Sequence, residues 1–157
     1  MESKKVIIQP SDSSAIELVE KVVNSVIKTA EIPYRLDKSP HSAHAKNIFI
    51  RISDFDLEHE IDRCAIIILV DAAIELLLRA RIDQIALQNK LKINSSSIIN
   101  RKDLYKIIED NDYIIPYKED IIKIRTKIRN DIMHLGKIPP VETTEYCISI
   151  LEKKLKY

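Results

Sequence analysis

Residues Cys64–Leu78 read CAIIILVDAAIELLL, a run in which only Asp71 and Glu75 carry charge. On a helical wheel it is apolar nearly all round. A surface helix shows a single apolar stripe, so this run marks the central element of a helical bundle. It is also shorter than the ~20 residues that cross a bilayer, which makes it a core helix. With Asp54 or Asp56 as its cap, the helix is predicted over about 57–81. Asp71, Glu75 and Arg79 fall at i, i+4 and i+8 and share one stripe. Either that stripe is solvated, with a Glu75–Arg79 pair worth a few tenths of a kcal/mol, or it faces a cleft where buried carboxylates find partners.

Outward from this helix the chain keeps a helical period. Residues 101–110 carry Leu104, Ile107 and Ile108 on one face. Residues 117–134 have an inner row of Ile121, Ile124, Ile128 and Ile132, with Lys118, Lys123, Arg125, Lys127 and Arg129 outside. Gly136 stands where a left-handed residue closes a helix. Pro139 and Pro140 start a last helix over 140–156, which packs Tyr146 or Cys147, Ile150, Leu151 and Leu155 inward.

On the N-terminal side, residues 1–10 read as a flexible lead or a short strand, and 12–31 as a helix ended by Pro33. Residues 33–53 read as a loop region in which NIFIRI is a brief strand or a helical turn. Residues 82–100 read as a short helix and a polar connection. The expectation is an all-α, up-and-down bundle of about five helices, one domain over 1–157.

Composition narrows the chemistry. The net charge is +1 with 31% charged residues, so there is no general basic field and any nucleic-acid contact must be local. Gly136 is the only glycine, and GxGxxG, GxxxxGK[ST] and GxSxG are all absent. Cys64 and Cys147 form no CxxC pair. His41 and His44 have HxxH spacing, with His59 and Cys64 downstream, but this is not a four-ligand zinc set. No metal and no cofactor is expected. MESKK lacks the apolar core of a signal peptide, so the chain reads as soluble and cytoplasmic, without membrane contact.

One stretch carries chemistry: Arg129-Asn130-Asp131-Ile132-Met133-His134, at the end of the penultimate helix. Arginine offers a permanent charge in a planar fork that matches phosphate, and histidine changes charge near neutrality. Five residues of ideal helix turn through about 500°, so the two point about 140° apart. Asn130 and His134, at i and i+4, share a face, which lets the amide orient the imidazole. Arg35 and His41 have a similar spacing, but Ser39-Pro40 lies between them and no helix carries that pair.

This stretch, followed by a single last helix, resembles the R-x4-6-H motif of the HEPN superfamily. The resemblance implies an up-and-down helical bundle that dimerises, and a metal-independent ribonuclease with Arg129 and His134 as its catalytic pair. It implies that Asn130 is the polar residue after the arginine, and that Glu75 or Asp71 is the acidic residue of the preceding core helix. RNA would be the substrate, cleaved by its own 2′-hydroxyl to a 2′,3′-cyclic phosphate and a 5′-hydroxyl. Arg125, Lys127 and Lys137 either track the RNA backbone or form a solvated face. The pair would converge across a homodimer built on the Arg129–His134 helix end, or through a frayed last turn that lets His134 curl back.

The superfamily also contains non-catalytic members. A dimerisation or interaction module, for example the partner of a nucleotidyltransferase antitoxin, is therefore the alternative to a toxin or defence nuclease. In that case His134 interacts only with its helix's dipole and last carbonyls.

Overall fold

The structure, a computed structural model, describes residues 39–156, which lie within one compact unit, Pro33–Tyr157. The expected lead at 1–10, the helix at 12–31 and residues 33–38 lie outside the described residues. Every regular element described is helical. Five rods build the bundle: α1 Pro40–Ile52, α2 Glu60–Gln88, α3 Arg101–Asp110, a composite rod, and the last helix. The composite rod runs without a break through α4 Lys118–Lys123, a π-helical turn Ile124–Arg129 and α5 Asn130–Leu135. The last helix is α6 Val141–Leu155.

Helix α2 is the axis of the bundle, packing on α1, α3, the π turn and α6. Ile66, Ile67, Val70, Ile74, Leu78, Ile82 and Ile85 of α2 are fully buried. Each contributes about 1.5–3 kcal/mol of transfer free energy. The helix runs past the expected end at 81 because no proline or glycine interrupts Ile82, Ile85 and Ala86, all on its inner face. It stops at Asn89–Lys90. Lys90 takes the left-handed conformation (φ 53°), and the Leu91 amide reaches back to the Ala86 carbonyl at 2.9 Å.

The loop expected at 33–53 is corrected over its described part: 40–52 is helical. Pro40 occupies the first turn, where its missing N–H is not needed. The inward face of α1 recurs at helical spacing as Ser42, Ala45, Phe49 and Ile52, but two of these are small residues and give little apolar signal. Helix α3 begins at the expected residue, capped by the Asn100 side chain, which accepts from the Lys102 amide at 3.0 Å.

The composite rod departs from the expected row of four isoleucines. Ile121 and Ile124 are fully buried, whereas Ile128 and Ile132 are only half-buried. A π turn closes its hydrogen bonds at i→i+5. Its one extra residue retards everything downstream by about 100°, the step of an α-helix. Arg125, one turn past the buried Ile121, already faces α2; the slip brings Arg129 round beside it, and Ile128 and Ile132 swing off the core face. Thr126 donates its hydroxyl to the Ile122 carbonyl at 2.8 Å, and the Asn130 amide reaches the Thr126 carbonyl at 3.3 Å. Gly136 (φ 61°) ends the rod, its amide on the Ile132 carbonyl.

Candidate functional site

Asp71 is 2% exposed, at the middle of the most buried helix. A carboxylate there needs partners, and three arginines supply them. Arg101, itself buried at the start of α3, donates from Nη1 to Asp71 Oδ1 at 2.6 Å and from Nη2 to the Asp71 main-chain oxygen at 2.8 Å. Arg125 hydrogen-bonds Asp71 Oδ2 from the π turn. Arg129 Nε lies 3.9 Å from that same oxygen.

One turn along α2, Glu75 accepts from Arg79 at 2.8 Å and from Arg101 at 3.3 Å, with Arg125 at 4.0 Å. Burial pushes the Glu75 carboxyl up, but the Arg79 hydrogen bond and the charges of Arg101, Arg79 and Arg125 outweigh it and hold the group below its ordinary value. Arg79 also hydrogen-bonds the Ser95 carbonyl.

Four guanidiniums around two carboxylates leave a local excess of positive charge. Its open side is the composite rod, where Arg125 and Arg129 keep 35% and 26% of their side-chain surface exposed. The Asp71, Glu75 and Arg79 stripe is thus an ion network rather than a solvated face. Arg101, its most buried cation, escaped the sequence reading. The signal was available: an aspartate in an apolar helix demands a buried partner.

The rest of the motif lies around the rod's end. Asn130 accepts from Arg129 Nη1 at 3.5 Å while its amide nitrogen serves Thr126. His134 is exposed, and among the described residues no hydrogen bond or ion pair reaches it. Within one chain Arg129 therefore turns inward to Asp71 and His134 faces outward. Met133, Leu135 and Ile138, all about half exposed or more, surround the imidazole in sequence. Lys137 pairs with Asp131 at 3.3 Å, whereas Lys127 is exposed and has no ion pair among the described residues. Arg125 is committed to Asp71.

His41 belongs to a second polar cluster. Its Nε2 lies 3.2 Å from Ser95 Oγ, 3.3 Å from Ser96 Oγ and 3.8 Å from Asp83 Oδ2, while Ser95 Oγ donates to Asp83 Oδ1 at 2.5 Å. Serine, histidine and aspartate meet here, but the carboxylate and the serines approach the same ring nitrogen, so no relay runs through the imidazole to a serine. The cluster ties α1 and the Ser95–Ser97 turn to α2. Among the described residues no group of histidine, cysteine, aspartate and glutamate is arranged to hold a metal ion, and no helix is long and apolar enough to cross a membrane. No family model, curated protein or solved structure matches the chain.

Proposed function

We propose that this bundle is a metal-independent endoribonuclease of the HEPN type, a toxin or defence effector, that works as a homodimer through the end of the composite rod. The observation that carries this reading is the arginine of the R-x4-H motif, drawn to an acidic residue of the core helix. Arg129 Nε lies 3.9 Å from Asp71, while His134 is exposed and has no hydrogen-bond or ion-pair partner among the described residues. A partner molecule related by a two-fold axis then supplies what one chain lacks, since each histidine meets the other copy's arginine cluster.

In this reading His134 takes or returns the proton as the RNA 2′-hydroxyl attacks the neighbouring phosphorus and the 5′-oxygen leaves. Arg129, with its planar fork, faces the charge that grows on the phosphoryl oxygens. Asp71 positions Arg129 and Arg125 and neutralises part of their repulsion. DNA, which has no 2′-hydroxyl, is resistant. The local excess of arginine charge is the field that a chain of net charge +1 otherwise lacks.

A second reading, an interaction module without turnover that binds a second copy or an antitoxin, is favoured by the exposed Met133, Leu135 and Ile138 beside His134. Incubation with structured RNA in EDTA separates the two. Cleavage by the native protein, lost in both His134→Ala and Arg129→Ala, supports the nuclease. Absence of cleavage, or equal cleavage by all three proteins, removes it.

A further inference from the structure

The residues that the π turn swings away from the core open onto a cavity of about 430 Å³ between the composite rod and the start of α6. That volume lies within the range of small-molecule sites. Three kinds of chemistry meet in it. Ile128, Ile132 and Pro139 give an apolar wall. Lys127 and Lys137 give positive charge. Asp131 and Glu142 give hydrogen-bond acceptors. Tyr146 also borders the cavity, but its hydroxyl is committed to Asp120 and its ring to Lys123, 5.1 Å from the centroid.

A flat apolar ring with N–H donors at its edge and an anionic tail satisfies all three. We propose that this cavity binds one nucleoside monophosphate unit, its base against Ile132 and Pro139 and its phosphate on Lys127 and Lys137. Among the described residues Lys127 makes no ion pair, while Lys137 is shared with Asp131. The two carboxylates disfavour an acidic peptide and accept from exocyclic amines, so adenine and cytosine units bind in preference to uracil. Asp131 lies three residues before His134 and is therefore its neighbour on the helix surface. Resting on the nuclease reading, the site holds the nucleotide next to the bond that His134 attends.

Calorimetric titration of the full chain with AMP, CMP and UMP, and with a DNA tetranucleotide that cannot be cleaved, tests the site. AMP and CMP are expected to bind more tightly than UMP. Lys127→Glu, on the surface, and Thr143→Trp, which fills the cavity, are each expected to weaken binding about tenfold or more, while His134→Ala leaves it unchanged. Binding of the tetranucleotide alone, weakened by the same two variants, assigns the site to a unit within a chain rather than to a free nucleotide. No binding of any probe at millimolar concentration overturns the proposal, as does binding that neither variant affects, or an acidic peptide that nucleotides cannot displace. Nucleotide binding without RNA cleavage sinks the nuclease reading alone. RNA cleavage left intact in Thr143→Trp, although its nucleotide binding is lost, overturns the placing of this cavity beside the bond that is cut and leaves the nuclease reading standing.

Discussion

Arg101 grips Asp71 twice, once at the carboxylate (2.6 Å) and once at the main-chain oxygen (2.8 Å), with both residues buried. The second contact makes the guanidinium a brace on the backbone of α2 as well as a counter-charge. Removing the carboxylate strands a buried cation. Asp71→Ala is expected to lower stability by about 3–5 kcal/mol, read as a shift in the urea midpoint. A loss under 1 kcal/mol, about that of a surface substitution, would mean that the network is not holding α3 to α2. Arg101→Lys is expected to destabilise as well, because an ammonium cannot span both acceptors.

Lys154 of α6 is 9% exposed and faces Arg81, with the Pro116 carbonyl at 3.5 Å as its hydrogen-bond partner. Burial first, then the Arg81 charge, pulls its ammonium down to about 7. Its folded value is below its unfolded one, near 10.4. Between those limits the unfolded chain holds a proton that the folded chain does not, so stability falls as pH drops from about 10 to about 7. Lys154→Met should flatten that slope and raise the melting temperature at pH 7. An unchanged slope between pH 7 and 10 would show that this amine is not desolvated.

Gly136 ends the composite rod at φ 61°, and a Cβ built on it meets nothing within 4 Å. The cost of a side chain is therefore backbone conformation alone. Gly136→Ala is expected to cost about 1 kcal/mol and Gly136→Asn less, since asparagine tolerates the left-handed region. Equal losses for both would point to a steric cause instead.

His134 is exposed and makes no hydrogen bond or ion pair among the described residues, so His134→Ala is expected to leave the melting curve within about 0.5 kcal/mol of the native protein. On the nuclease reading the same variant lowers RNA cleavage by at least about 100-fold. Arg129→Ala lowers cleavage and also perturbs the Asp71 network, so it alone changes both readouts. A His134→Ala protein that cleaves normally excludes the imidazole from the chemistry.

The central helix was legible because thirteen apolar positions in a run of fifteen permit few alternatives, and α3 because Asn100 and its periodic face agree. Helix α1 was not, since Ser42 and Ala45 mark its inner face without hydrophobicity and Pro40 resembles a breaker. The π turn left no signature either: Ile121, Ile124, Ile128 and Ile132 fit an unbroken helix, and only packing shows that the last two leave the core. The pairing of Asp71 with Arg101 spans thirty residues, so no local pattern encodes it.

The slip in the rod's phase turns arithmetic into aim. Restoring an even count by deleting Lys127 from the wide turn would spin the tip of the rod by a little more than a quarter revolution. The isoleucines would return to the interior, and Arg129 would be pulled from its aspartate. The spare residue thus works like a shim under a gun-sight, and the bearing of the imidazole depends on its staying in place.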